Sequence, residues 1–213
     1  MANRDRMREH YYRMAKRMGY RSRAAFKLIQ LDRRYGILRK GDVVVDLGAA
    51  PGGWLQVAAE RVGERGFVLG VDIQPIRPLR LPNVKTIVAD ILDPSAPEII
   101  LRNLPRPADV VLSDASAKIT GVWSVDHAKS VELALSALEI CRRSLAVNGR
   151  VIVKVFQGEQ FTDVLGEFTK SFEFVKVSKP MASRKQSSEV YIIGKGFMGG
   201  GKPAAGEGGQ GNA

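Results

Sequence analysis

A chain of 213 residues, 45% hydrophobic and with a net charge of +11, suits one domain that can bury a full core without staples. Its single cysteine, Cys141, excludes an internal disulfide, and no apolar run resembles a signal peptide or a membrane span, so a cytoplasmic protein with no membrane partner is expected. The charge is uneven: residues 1–40 hold 13 Lys or Arg against Asp5, Glu9 and Asp32, a balance of +10, which leaves +1 for the rest.

The basic segment 1–40 reads as two helices, 4–18 and 22–35, separated by Gly19-Tyr20-Arg21. Ser22 is the expected N-cap of the second, and Phe26, Leu28 and Ile29 form its apolar side. Concentrated positive charge interleaved with Tyr11, Tyr12, Tyr20 and Phe26 points to a nucleic acid more than to a merely solvated helix pair.

From residue 43 strands alternate with helices. Strands are expected at 43–47, 67–72, 85–89, 109–113, 150–156, 172–178 and 189–194, and helices at 53–63, 95–103, 126–147 and 159–170. This order predicts an α/β fold, a doubly wound, mostly parallel sheet with helices on both faces. No helix separates the last two strands, so they should pair as an antiparallel hairpin at the end of the sheet. Residues 1–197 are expected to form one domain, and the Gly-rich run from Met198 to Ala213 a disordered tail.

VVVDLGAAPGGW, residues 43–54, is an apolar strand entering a small-residue turn and then a helix. In open α/β sheets ligands bind beyond the carboxyl ends of strands, where Gly48, Gly52 and Gly53 would admit a ligand close to the backbone. The spacing matches neither the dinucleotide fingerprint nor a phosphate loop. Asp72, Asp90 and Asp114 each close a successive apolar strand, in GFVLGVDI, VKTIVAD and DVVLSD. One such aspartate is an ordinary cap; three in succession favour a nucleoside pocket, and S-adenosylmethionine has the matching adenine, ribose and amino acid parts.

GRVIVKVFQG, residues 149–158, is apolar on both faces except at Lys154. A buried ammonium costs several kcal/mol unless paired, and the strand ending in Asp114 should be the neighbour that supplies a carboxylate. Glu189 opens the last strand, in SSEVYIIG, as another charge entering an apolar run. Lys27, on spacing alone, reads as a solvated helix residue. His10 and His127 are too few and too far apart for a metal site.

Taken in order, HYYRMAKRMGYRSRAAFKL, DLGAAPGGW, VDI, SDASAKITG, GRVIVKVFQG and KPMASRKQSSEVYII resemble the FtsJ/RrmJ (RlmE) family of ribose 2′-O-methyltransferases over about residues 9–196. The resemblance implies a Rossmann-like methyltransferase fold with a seven-stranded, mostly parallel sheet and an antiparallel end strand. It implies methyl transfer from S-adenosylmethionine to a ribose 2′-hydroxyl in RNA, a uridine of large-subunit ribosomal RNA in the nearest relatives. Free RNA or an assembled large subunit would be the partner, and the enzyme a monomer without metal. Lys27, Asp114, Lys154 and Glu189 fall on the family's catalytic positions, with Lys154 as proton acceptor. Gly52, Trp54, Asp72, Asp90 and Asp114 fall on its cofactor contacts. After Asp114 this chain carries Ala-Ser-Ala-Lys where bacterial relatives commonly carry Met-Ala-Pro. A transfer-RNA ribose methyltransferase and a non-catalytic RNA-binding assembly factor are the rival readings.

Such a resemblance gives the lysine a purpose. A ribose hydroxyl is a poor nucleophile, so the enzyme must align it with the methyl donor and remove its proton. Lys154 can do the second only when its amine is uncharged.

Overall fold

The computed structural model describes residues 2–184 and 186–199, without the side chains of residues 2–8. The expected Gly-rich tail lies outside the described residues except for Met198 and Gly199. Two helices come first, α1 (Ala2–Met18) and α2 (Ala25–Tyr35), followed by β1 (Val43–Leu47), α3 (Gly53–Val62), β2 (Phe67–Asp72) and β3 (Val84–Val88). Then come α4 (Ala96–Arg102), β4 (Ala108–Ser113), α5 (Trp123–Ser144), β5 (Leu145–Phe156), α6 (Phe161–Ser171), β6 (Phe172–Ser178) and β7 (Glu189–Phe197). Among the described residues no helix is long and apolar enough to cross a membrane.

The strands form one seven-stranded sheet in the order β3-β2-β1-β4-β5-β7-β6. Central β1 is buried along its whole length, as a strand covered on both faces must be. Val43, Val45 and Leu47 face α4, α5 and α6 through Ile100, Leu138 and Phe168. Val44 faces α2 and α3 through Leu28, Leu31 and Leu55 on the other side. The outermost strands, β3 and β6, bury few of their residues. α1 packs on α2 through Tyr11, Ala15 and Phe26, and Ala182 of the β6–β7 connection closes this small cluster.

β7 is the antiparallel strand, and it lies one place in from the edge, between β5 and β6 and antiparallel to both. The hairpin therefore folds back towards the centre of the sheet, and β7 begins at the end where the parallel strands finish.

Three local expectations are corrected. Ser22 does not cap α2: the helix starts from Ala24, without a side-chain cap, and Ser22 packs against Gly53 instead. α5 begins at Trp123 because Asp126 gathers Thr120 and Gly121 ahead of it. It ends at Ser144, where Leu145 turns extended and pairs with Ala108 in place of the helical run expected to 147. β3 ends at Val88, so Asp90 stands in the following turn, where its carboxylate accepts the Leu92 N–H at 2.9 Å.

Candidate active site

The direction of β7 assembles the charged cluster. Its first residue, Glu189, pairs in register with Phe156, and Tyr191 pairs with Lys154. β4 lies on the other side of β5 and delivers Asp114 one residue beyond its end. α2 covers the same face and presents Lys27. All four predicted catalytic residues meet there.

Lys154 is 7% exposed; its Nζ donates to the Asp114 main-chain carbonyl at 2.7 Å and lies 3.3 Å from that residue's carboxylate. Lys27 Nζ pairs with Glu189 at 2.8 Å and with the second Asp114 oxygen at 3.6 Å. Two ammonium groups thus face two carboxylates, which offsets the cost of burying each charge. Tyr191 ties the carboxylates together, its hydroxyl 2.8 Å from Asp114 and 3.2 Å from Glu189. Ser183 donates to Glu189 at 2.8 Å, and Lys27 lies over the Tyr191 ring at 5.6 Å.

Electrostatics follow from this arrangement. Burial pushes the Asp114 carboxyl up, but Lys154, Lys27 and the Tyr191 hydroxyl outweigh it and hold the group below the usual carboxylate range. Tyr191 goes the other way: burial, and then Asp114 and Glu189, raise its hydroxyl well above the ordinary value, so it remains a donor.

Beside the cluster opens a cavity of about 520 Å³ that Gly48, Asp72, Asp90 and Asp114 help to line. Its size suits a nucleoside-bearing ligand. Gly48 has φ +71°, and a Cβ there would run into the Ala115 backbone. Asp72 is fixed by accepting the Ala50 and Gln74 N–H groups, each at 2.8 Å, and its remaining lone pairs are available to ligand hydroxyls. Ile73 and Leu92 supply exposed apolar surface at the same cavity. Carboxylates for ribose hydroxyls and for positive charge, with an apolar slot for a purine, fit S-adenosylmethionine. Behind the cavity, Asp46 on β1 is 1% exposed and neither carboxylate oxygen has a hydrogen-bond partner.

Gly52 and Trp54 are not among the residues lining this cavity. Gly52 has φ +109° and abuts the Arg21 side chain. Arg21 clasps the turn, donating to the carbonyls of Pro51, Arg77 and Pro78 at 3.1, 2.5 and 2.7 Å. Trp54 is buried, donates to the Ala24 carbonyl at 2.8 Å and packs 5.9 Å from the Tyr191 ring. Both residues brace the turn from behind.

Comparison with known proteins decides the family. Residues 20–197 match the model of the FtsJ-like methyltransferases. The chain belongs to that family. It is 52% identical over 196 residues to the ribosomal RNA large subunit methyltransferase E of Methanosarcina mazei, covering 92% of this chain and 71% of that one. To the protein of the same name from Methanothermobacter thermautotrophicus it is 46% identical, with 92% of each chain covered. A Plasmodium falciparum ribosomal RNA methyltransferase of known crystal structure superposes with a TM-score of 0.75 at 33% identity, covering 84% of this chain and all of that one.

Within this FtsJ-like site, sequence reasoning missed Tyr191, Ser183 and Asp46. Tyr191 reads as an ordinary core aromatic of a strand, and Ser183 as a loop residue. Asp46 did carry a signal: it interrupts VVVDL as Lys154 interrupts its own strand.

Proposed function

We propose that this chain transfers a methyl group from S-adenosylmethionine to a ribose 2′-hydroxyl, that of a uridine in large-subunit ribosomal RNA. The observation that carries the reading is the pairing of Lys154 and Lys27 with Asp114 and Glu189 beside an acidic, nucleoside-sized cavity that Asp114 also lines. The names of the relatives support the substrate. The cofactor supplies a sulfonium-activated methyl group. Asp72 and Asp90, which line the cavity, would hold its ribose and adenine sides, and Asp114 would face both cofactor and acceptor. Gly52 and Trp54 keep the binding turn in shape.

Lys154, held by the Asp114 carbonyl and with its amine uncharged, would accept the 2′-hydroxyl proton while the oxygen displaces the sulfonium sulfur from the methyl carbon and a neutral thioether leaves. Lys27 and Glu189 fix the approach of the ribose and offset each other's charge. Because the donor is already activated, alignment and proton removal are the work left to the protein.

The test is transfer of labelled methyl to large-subunit ribosomal RNA, to assembled large subunits and to transfer RNA, with 2′-O-methyl mapping of each product. One modified uridine in ribosomal RNA is expected. Modification of transfer RNA alone would replace the substrate; no transfer to any RNA would leave an RNA-binding protein on a methyltransferase scaffold.

A further inference from the structure

We propose that Trp123 is a stacking platform for a base of the RNA substrate, next to the lysine that takes the ribose proton. This rests on the RNA reading above. Trp123 opens α5, and its indole lies nearly parallel to two rings: His127 at 5.8 Å and 17°, and Phe156 at 6.2 Å and 14°. Despite both contacts it is 51% exposed, so much of the indole remains in water.

The indole is held in place rather than draped on the surface. His127 is buried and its Nε2 accepts the Gln160 N–H at 3.2 Å, while a Cβ on Gly158 would come within 2.6 Å of the imidazole. Asp126 fixes the helix entry, accepting the Thr120 N–H and hydroxyl at 2.8 Å each and the Gly121 N–H at 3.1 Å. A preordered aromatic loses little entropy when a partner stacks on it.

Place, surface and charge select a nucleobase as the partner. Phe156 is two residues beyond Lys154 on β5, about 7 Å of strand, and a small cleft joins the two past Ala115, Ser116 and Ser130. A nucleotide whose 2′-hydroxyl reaches Lys154 brings its own base or its neighbour's to the indole. Ile119 and Val122 on the same loop are 59% and 55% exposed, which widens the apolar surface around Trp123. Lys118, exposed and without an ion-pair partner among the described residues, is available for backbone phosphate. Stacking accepts any base, so the platform orients the nucleotide rather than reading its identity.

The experiment compares Trp123→Leu and Trp123→Phe with the wild-type chain, using a large-subunit ribosomal RNA transcript and assembled large subunits as substrates. The leucine variant should raise KM for the transcript by roughly ten- to a hundredfold, and phenylalanine should restore it to within about threefold. S-adenosylmethionine affinity and Tm should match wild type in both. A short mixed-sequence RNA should quench wild-type tryptophan fluorescence, and the quench should vanish in Trp123→Phe, because the other tryptophan, Trp54, is buried. A leucine variant with wild-type KM on the transcript, in an otherwise active enzyme, overturns the platform and leaves the RNA reading intact. A loss confined to assembled subunits overturns it too, and marks the patch as a docking surface for protein. If the wild-type chain neither binds nor methylates RNA, both readings fall together.

Discussion

Lys154 is anchored to Asp114 twice over, to its backbone carbonyl at 2.7 Å and to its carboxylate at 3.3 Å. The two interactions differ in kind. The carboxylate balances charge, while the carbonyl belongs to the rigid end of β4 and sets direction. A lysine on β5 is thus aimed by the strand beside it, and its place in an apolar run follows from what it must point at.

Lys154→Arg separates charge from proton transfer. The guanidinium keeps the positive charge and much of the reach, but it does not release its proton. The variant should fold and bind S-adenosylmethionine, yet lose methyl transfer by a factor on the order of a hundred or more. Single-turnover transfer of labelled methyl to RNA, with cofactor affinity measured in parallel, makes the comparison. Near-normal turnover would remove Lys154 from the role of base.

Tyr191→Phe removes one hydroxyl and almost no volume. Asp114, at 2.8 Å, and Glu189, at 3.2 Å, lose the one hydroxyl proton that they share in a buried setting, where a hydrogen bond to a charged group is worth roughly 1.5–3 kcal/mol. Tm should fall accordingly, and methyl transfer should drop severalfold as the two carboxylates lose their common tie. Calorimetric unfolding and the same transfer assay check both; an unchanged Tm would show that the hydroxyl bears no part of the cluster's stability.

The periodic parts of the fold could be read from the sequence because burial on both faces leaves continuous apolar runs. The pairing of β4 with β5 followed from strand order, and with it the meeting of Lys154 and Asp114. Lys27 could not be found this way. Its helix is amphipathic and basic, and only the packing of α2 on the sheet turns that lysine inward to Glu189. The place of β7 between β5 and β6 is likewise a tertiary choice, and Tyr191 gains its importance only through that register. Asp46 was legible, since a carboxylate within a buried five-residue strand is as anomalous as a lysine within one.

Asp46→Asn should stabilise the cofactor-free protein, and increasingly so as pH rises. Burial, then the nearby charges of Asp114 and Asp72, push the Asp46 carboxyl well above its ordinary value of 3.8. A raised value means that the fold favours the protonated acid. Its stabilisation is complete below 3.8 and is lost as pH climbs from there through the folded-state value. Asparagine does not titrate, so its Tm advantage over wild type should widen between about pH 4.5 and the folded-state value, and then level off. A Tm difference independent of pH over that range would show that Asp46 is ionised in the fold throughout.

The exposed cations of α1 should supply RNA affinity without touching the chemistry. Arg13, Lys16 and Arg17 are solvent-facing, and among the described residues Arg13 is engaged only by Glu9, itself exposed, so little folding energy depends on them. Every phosphate that a side chain ceases to neutralise lowers the slope of log affinity against log salt by roughly 0.7–0.9. Changing all three to glutamine should therefore weaken RNA binding, flatten that slope by roughly two to three units, and leave S-adenosylmethionine affinity unaltered. Filter binding of a large-subunit ribosomal RNA transcript across a salt series measures the slope directly. A triple variant that keeps the wild-type slope would place the RNA backbone on another face, and the positive charge of residues 1–40 would then need a different partner.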